Sequence, residues 1–325
     1  MITMKKPQIA FLDEPTVHLK DLNFSAIQKI GEYIGLKSCP TGKIPRSVQN
    51  AEVVISNKVL LGDNEFSQLK NLRLICVAAT GVNNIDLEAA KQRGIAVCNV
   101  AGYSTVSVLE HTLMFLLNLS HRFLEHQHSA VSGEWSRSSN FAVLSYPFQN
   151  LSGKTLCVIG YGSIGKRVAK FARALGMEVL VAKIPGRKYG ISDKRVALKS
   201  AMQKADYVSL HCPLTPLTQD LINEEKLLWM KPSAYLLNLA RGPIVVEKDI
   251  VQALKKEVVA GYASDVAAEE PLPKNHPFLQ KSLKNKILLT PHVAWASLES
   301  RQSMIDEIAK NIQAFLKGKK RNRIV

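Results

Sequence analysis

The feature that most constrains the fold of this chain is a short apolar run followed by three glycines and an amphipathic segment. Leu156–Ile159 is long enough to form one buried strand. Gly160, Gly162 and Gly165 follow with G-x-G-x-x-G spacing, and apolar residues then recur at helical intervals over Ile164–Leu175. The segment is therefore predicted to form a strand, a tight turn and a helix.

Glycines with this spacing let a chain turn tightly and bring its backbone close to a pyrophosphate. The N-terminus of the helix then offers unpaired N–H groups and the positive end of its dipole to the phosphates. A glycine-rich turn in an α/β protein without this ligand is the alternative. The flanking strand and helix favour dinucleotide binding.

Composition indicates an ordinary globular protein of more than one domain. The chain has 325 residues, of which 46% are hydrophobic and 22% charged. No apolar run approaches the ~20 residues that a membrane helix needs. The five cysteines lack metal-binding or redox-motif spacing, so we expect reduced, buried thiols, no metal site and a cytoplasmic protein.

The formal net charge of +16 is compatible with a nucleic-acid partner, a membrane surface or anionic substrates. The lysines are scattered over predicted helix faces, without a basic-aromatic motif, and no membrane partner or nucleic acid is expected. The one dense basic run, Lys317–Arg323, is predicted to be a solvated, frayed end.

Short β-rich apolar runs alternate with helical segments on both sides of the glycine motif, which predicts an α/β protein with two doubly wound parallel sheets. The final helix, Leu298–Leu316, should pack on the first domain. The predicted domains are thus residues 1–101 with 295–325, and residues 102–294. We also expect a helix over Phe24–Tyr33, a loop over Ser129–Ser139, and an apolar helix from Tyr103 to His121 that is buried between two bodies.

Three predicted strands after the glycine motif are followed by charged or titratable residues. Arg241 follows one strand, Glu270 lies shortly after the next, and His292 follows the last. Ligands bind at the carboxyl ends of the strands in a doubly wound sheet. Each residue alone could be structural: a helix cap, a solvated acid or a core histidine. Together they provide what reduction of a 2-keto acid requires, which is a cation for the carboxylate and a proton donor.

The chain resembles the D-isomer-specific 2-hydroxyacid dehydrogenase family over nearly its whole length. The resemblance is carried by the glycine motif together with a set of segments in the family's order: Ala79–Asp86, Asn99–Thr105, His211–Thr215, Asn238–Gly242, Asp265–Pro271 and Thr290–His292. Thr290–Ser297 and Gly133–Arg137 are most similar to the glycerate dehydrogenase and hydroxypyruvate reductase branch. The resemblance implies a flavodoxin-like substrate domain interrupted by an inserted Rossmann NAD(P)-binding domain.

The resemblance also implies site residues. Arg241 would bind the substrate carboxylate and polarise the carbonyl, His292 would act as general acid and base, and Glu270 rather than Glu269 would orient His292. Asn57 and the backbone of Ala79, Thr80 and Gly81 would contact the substrate. The implied cofactor contacts are Thr105, Gly160, Tyr161, Gly162, Ser163, Ile164, Gly165, His211, Cys212, Pro213, Ala240 and Asp265, the last of these near the nicotinamide amide.

The cofactor preference depends on one departure from the family pattern. NAD-preferring members carry an acid at the end of the strand after the glycines, about 20 residues on, where it binds the ribose. Lys183 stands there, with Arg187 close behind. These cations should attract the 2′-phosphate of NADP(H), so NADP(H) is the expected cofactor and NAD(H) a possible one. A solvated basic loop is the alternative.

Hydroxypyruvate and glyoxylate are the expected substrates, ahead of other acids such as D-lactate or 3-phosphoglycerate. A second class stays open, because some relatives are dinucleotide-responsive corepressors or binding modules. Together with the apolar helix and the aromatic loops, the resemblance implies a homodimer.

Overall fold

The chain divides into two compact units. A computed structural model describes residues 6–325. Unit 1 comprises the described residues up to Ser104 together with Trp295–Val325, and unit 2 comprises Thr105–Ala294. Unit 2 therefore interrupts unit 1 in the sequence.

The described residues contain eleven strands and ten α-helices. The strands are β1 (Gln8–Phe11), β2 (Glu32–Gly35), β3 (Val53–Ser56), β4 (Leu74–Val77), β5 (Ala96–Cys98), β6 (Thr155–Ile159), β7 (Glu178–Ala182), β8 (Tyr207–Leu210), β9 (Tyr235–Asn238), β10 (Gly261–Ser264) and β11 (Ile287–Leu289). The helices are α1 (Ser25–Gln28), α2 (Asp63–Gln68), α3 (Leu87–Gln92), α4 (Thr105–His121), α5 (Phe123–Val131), α6 (Ser163–Ala174), α7 (Leu198–Lys204), α8 (Glu224–Leu227), α9 (Glu247–Lys255) and α10 (Leu298–Leu316).

The sheet of unit 1 has the order β2-β1-β3-β4-β5, and all its strand pairs are parallel. β3 and β4 are buried along their whole length, as expected for strands covered on both faces. Met304, Ile305 and Ile308 of α10 belong to the hydrophobic core on one face, which confirms that this helix packs on the first sheet. The order is the flavodoxin-like one.

The sheet of unit 2 has the order β11-β10-β9-β8-β6-β7 and is also parallel throughout. The strand order reverses at β6, which lies between β7 and β8. Open α/β sheets bind ligands outside the carboxyl ends of the strands at such a switch point. The expected fold class, two doubly wound parallel sheets, is confirmed.

Three local predictions were wrong. The helix predicted over Phe24–Tyr33 is only α1, because Gly31 lies against the first strand, where an added Cβ would be 2.1 Å from the carbonyl oxygen of Pro7. β2 then begins at Glu32. α5 extends into the predicted loop at Ser129–Ser139. Cys39 is partly exposed, whereas the other four cysteines are buried as expected; all five thiols are free.

The basic run Lys317–Arg323 is exposed as expected, but its end is not frayed, because the last residues of the chain pair with β5 at the edge of the sheet. The N–H of Ile324 donates to the carbonyl of Val97 (2.8 Å), and the N–H of Asn99 donates to the carbonyl of Asn322 (3.2 Å). An edge strand has unpaired N–H and C=O groups, and the tail satisfies them.

Helix α4 confirms the predicted apolar helix, but Val106, Met114 and Leu117 on it are 44–48% exposed within the chain. Across residues 6–325, no helix is long and apolar enough to cross a membrane. The cytoplasmic location stays a prediction.

Candidate active site

The glycine turn joins β6 to α6, as the spacing predicts. Gly160 has a φ of 96°, and an added Cβ would lie 2.4 Å from the backbone nitrogen of Cys212, just after β8. An added Cβ on Gly165 would lie 2.0 Å from the carbonyl oxygen of Gly160. Both glycines are therefore required by packing within the protein. The turn at the end of β6 is pressed against the segment that follows β8.

Gly162, the N-cap of α6, differs from its two neighbours. An added Cβ there would meet no protein atom within 4 Å. Packing does not explain this glycine, whereas a ligand lying against the backbone at the start of a 12-residue helix does. The turn thus fits the pyrophosphate of a dinucleotide, which Gly162 and the N–H groups of Ser163 and Ile164 would hold.

The Gly162→Ala variant tests whether this glycine is needed for ligand binding rather than for packing within the protein. We expect thermal stability close to wild type, because the new methyl group meets open space. Affinity for the dinucleotide should fall about tenfold or more, because the methyl group keeps the pyrophosphate from the backbone. Isothermal titration calorimetry with NADPH measures the loss. Gly165→Ala is the contrasting variant and should lose stability; equal dinucleotide affinity for Gly162→Ala and wild type would contradict this assignment.

Beside the glycine turn lies a cavity of about 170 Å³. Its lining includes seven of the predicted cofactor contacts: Gly160, Tyr161, Gly162, Arg187, His211, Cys212 and Pro213. The lining also includes four residues that the sequence motifs do not predict: Ala182, Ile184, Tyr189 and Arg195. Lys183 is exposed and lies outside this lining.

His211 is a buried neutral group in this cavity. Burial lowers the pKa of His211 to about 4. Its Nε2 is 2.8 Å from the hydroxyl of Ser209, and its buried Nδ1 has no hydrogen-bond partner among the described residues. A buried unpaired nitrogen is costly, which fits a position where a bound ligand completes the site.

The carboxyl end of β11 carries His292 on a strained turn. His292 has a φ of 55°, in the left-handed region that non-glycine residues seldom adopt. Its Nδ1 is 2.6 Å from Oε2 of Glu270. Oε1 of Glu270 accepts the N–H of Ala267 (3.0 Å), which fixes the carboxylate. The structure thus brings the predicted pair together, and it places Glu270 rather than Glu269 on the imidazole.

Asp265, at the end of β10, holds the turn that carries His292. It is buried, and its Oδ1 accepts the hydroxyl of Thr290 (2.6 Å) and the N–H of Val293 (2.9 Å). Its Oδ2 accepts the N–H of Ala294 (2.8 Å). The left-handed conformation at His292 lets both following N–H groups reach one carboxylate. From the sequence, Asp265 is expected only as a cofactor contact, and that role stays a prediction.

Two side chains of α4 support the same turn. Ser107 donates to the carbonyl of Ala294 (2.6 Å), and Nε2 of His111 is 2.9 Å from the hydroxyl of Thr290. Burial lowers the pKa of His111, opposed by the nearby charge of Asp265. These contacts fix the backbone on both sides of His292.

Asp265→Asn tests the support of this turn. The two carboxylate oxygens of Asp265 accept three hydrogen bonds, whereas an asparagine has only one side-chain oxygen. At least one of the three donors would then face the amide NH₂ group and lose its hydrogen bond. We expect a loss of about 1–3 kcal/mol in the free energy of unfolding and a kcat lowered about tenfold. Urea unfolding and steady-state kinetics measure the two effects. Asp249→Asn is the control, because this partly exposed aspartate accepts only one backbone N–H, that of Glu224. Equal effects of the two variants would contradict the role of Asp265.

Arg241 follows β9, next to the strand that leads to Glu270. An added Cβ on Gly242 would lie 1.9 Å from the carbonyl carbon of Ala267, so the two loops touch through their backbones. Asn238 donates to the carbonyl of Arg241 (2.9 Å), and Nη1 of Arg241 donates to the carbonyl of Ala240 (2.7 Å). Arg241, Glu270 and His292 thus follow three adjacent strands, as predicted.

The predicted substrate contacts Asn57, Ala79, Thr80 and Gly81 lie in unit 1. Asn57 directly follows β3 and donates from Nδ2 to the hydroxyl of Thr16 (3.0 Å), while its N–H donates to buried Asp13 (2.9 Å). Burial raises the pKa of Asp13. Ala79–Gly81 follows β4, and Thr80 donates to the carbonyl of Val100 (3.0 Å). That these residues bind substrate stays a prediction, as do the cofactor contacts of Thr105 and Ala240. Over residues 6–325, no group of three His, Cys, Asp or Glu could hold a metal ion.

Comparison with known proteins agrees with this geometry. Residues 113–294 match the family model described as D-isomer specific 2-hydroxyacid dehydrogenase, NAD binding domain. The chain is 37% identical to the glycerate dehydrogenase of Methylorubrum extorquens over 97% of this chain and 98% of that protein. It is 34% identical to the hydroxypyruvate reductase of Blautia hydrogenotrophica over 96% of this chain and 97% of that protein.

Among solved structures, an acyclic imino acid reductase (Bsp5) in complex with NADPH and D-Arg superposes with a TM-score of 0.84. It is 26% identical and covers 98% of this chain and 100% of its own. The sequence relatives, the family model and the strand order of the two sheets agree. The chain belongs to the D-isomer specific 2-hydroxyacid dehydrogenase family.

Proposed function

We propose that this protein reduces a small 2-keto acid, hydroxypyruvate or glyoxylate, to the D-2-hydroxy acid with NAD(P)H. The observation that carries the proposal is the 2.6 Å distance between Nδ1 of His292 and Oε2 of Glu270. His292 follows β11, which pairs with β10, the strand that leads to Glu270, and β10 pairs in turn with β9, which leads to Arg241. The names of the full-length relatives, glycerate dehydrogenase and hydroxypyruvate reductase, support this substrate class.

The three residues divide the work of the reaction. The nicotinamide, when bound, supplies the hydride to the carbonyl carbon. Arg241 binds the substrate carboxylate and polarises the carbonyl, since a guanidinium offers paired donors to a carboxylate. Glu270 holds Nδ1 of His292, so that Nε2 gives its proton to the carbonyl oxygen. In the reverse direction Nε2 takes the proton from the hydroxyl group.

A substrate panel tests the proposal. NADPH absorbance should fall with hydroxypyruvate and with glyoxylate, and more slowly with pyruvate. Consumption with none of these or other 2-keto acids, despite tight dinucleotide binding, would favour a dinucleotide-responsive binding module instead.

We further propose that NADP(H) is preferred over NAD(H). Lys183 stands where NAD-preferring members carry an acid, and Arg187, close behind it in the sequence, lines the cavity beside the glycine turn. The ratio of kcat/KM for NADPH and NADH measures the preference. A tenfold advantage for NADH would contradict it.

The homodimer is also a proposal. Large apolar side chains of unit 2 are 53–94% exposed over α5 and the segment after it, namely Phe123, Val131, Phe141, Leu144 and Phe148. Exposed apolar patches of this kind mark protein interfaces, and identical chains most often pair two by two. Light scattering after gel filtration should give twice the mass of one chain, and the mass of a single chain would contradict the proposal.

A further inference from the structure

The cavity beside the glycine turn contains an arginine that the sequence spacing does not reveal. Arg195 lies twelve positions after Lys183. A parallel bridge between Ala182 and Val196 returns it to the carboxyl end of β7, and the N–H of Lys183 donates to the carbonyl of Val196 (2.8 Å). This strand end is where the adenosine ribose binds in dinucleotide folds.

The guanidinium of Arg195 is held by two aromatic rings. Its central carbon is 5.0 Å from the ring centre of Tyr189 and 5.8 Å from that of Tyr161, which belongs to the glycine turn. The guanidinium of Arg187 lies 5.8 Å from the same Tyr189 ring. The hydroxyl of Tyr189 accepts the N–H of Ile184 (2.7 Å), which fixes the ring to the end of β7. One ring thus places two cations in one cavity.

Only one of these two cations is paired with a carboxylate among residues 6–325. Asp193 forms an ion pair with Nη1 of Arg195, and its Oδ1 accepts the N–H of Arg195 (2.9 Å). Arg187 has no ion pair with any residue among 6–325. The lining therefore carries an uncompensated positive charge next to the ribose position, which suits a dianionic group on the ribose.

We propose that Arg195 and Arg187, stacked on Tyr189, bind the 2′-phosphate of NADPH, and that Asp193 competes with this phosphate for Arg195. The inference deepens the proposed cofactor preference and rests on that proposal. It assigns the discrimination between NADPH and NADH to Arg195 and to the Tyr189 ring beneath it, in addition to Lys183 at the end of the strand. Asp193 then limits the preference and leaves room for use of NADH.

A matched pair of nonreacting ligands tests the inference without catalysis. Adenosine 2′,5′-bisphosphate and adenosine 5′-monophosphate differ only in the 2′-phosphate, and calorimetry gives the ratio of their affinities. Arg195→Ala should lower that ratio at least tenfold by weakening the bisphosphate alone, because charge-assisted hydrogen bonds to the phosphate are lost. Arg195→Lys should lower it less, which covers the case in which the alanine variant is unstable.

Two further variants sharpen the test. Lys194→Ala removes an equal charge from the neighbouring exposed residue, which does not line this cavity, and should change the ratio less than twofold. Asp193→Asn keeps an oxygen for the N–H of Arg195 and should raise the ratio several-fold. An unchanged ratio in both Arg195 variants, or an equal loss of both ligands, would overturn the inference. If the wild-type protein reduced no keto acid but Arg195→Ala still lowered the ratio of the two affinities, the proposed reaction would be refuted and the phosphate site would stand.

Discussion

Replacing His292 with glutamine is expected to lower kcat for keto acid reduction by about 10²–10⁴-fold, the usual contribution of a general acid. Glutamine can keep a hydrogen bond to Glu270 but cannot give a proton to the carbonyl oxygen. The affinity for NADPH should stay within about threefold, because no described cofactor-cavity residue is altered. Steady-state kinetics with hydroxypyruvate, together with calorimetry for NADPH, measure both quantities.

The chain offers a matched control for this variant. Nε2 of His276 lies 3.0 Å from Oε2 of Glu247, so this pair has the same chemistry on another loop of unit 2. His276→Gln should leave kcat within about threefold. If both histidine variants lowered kcat equally, a general loss of structure rather than loss of the acid would explain the effect, and the role of His292 would fail.

The second large effect is expected at Arg241. Arg241→Gln should lower kcat/KM for the keto acid by about 10²–10³-fold, with most of the loss in KM, because the substrate carboxylate loses a paired, charged donor. Arg241→Lys should recover only part of this loss, since an ammonium lacks the planar fork of the guanidinium. Folding should be preserved, because the side chain is partly exposed and the nearby loops are fixed by backbone contacts.

Arg173→Gln is the control for charge, because Arg173 is an exposed arginine at the end of α6. It removes the same charge from the same unit and should leave kcat/KM within about twofold. An Arg241→Gln variant with the kcat/KM of wild type would exclude Arg241 from substrate binding. Equal losses in both variants would instead indicate a long-range charge effect.

The parts of the fold that could be predicted are those that local sequence determines. Buried parallel strands such as β6 are continuous apolar runs, and the glycine spacing fixes the turn after it. Aspartate is a preferred residue at the start of a helix, and the side chain of Asp86 accepts the N–H of Ala89 at the start of α3. The order of the strand ends then placed Arg241, Glu270 and His292 on one edge of the sheet.

The predictions failed where distant segments decide the outcome. β2 is short and only partly buried, so it carries little apolar signal, and it forms because β1 lies beside it. The tail pairs with β5 across more than two hundred residues of chain. Arg195 was missed for the same reason, since only the bridge at Ala182 brings it to the end of β7.

The site shows the same division between local and distant signals. Local sequence motifs identify Glu270 and His292, but they do not reveal the residues that hold the turn carrying His292. Asp265 reaches the N–H groups of Val293 and Ala294 only after the chain has returned through β11. The contribution of α4 through Ser107 depends on the packing of unit 2 and has no signal in sequence.

The most direct test is to follow NADPH oxidation with hydroxypyruvate while measuring the amount and the handedness of the glycerate formed. In the proposed reaction His292 and the nicotinamide act on one carbonyl in a fixed arrangement, so we expect one D-glycerate for each NADPH consumed. We expect the same rate to fall by about 10²–10⁴-fold in the His292→Gln protein. Formation of L-glycerate, or NADPH oxidation that is unchanged in that variant, would contradict the assignment of this site as a D-2-hydroxyacid dehydrogenase centre.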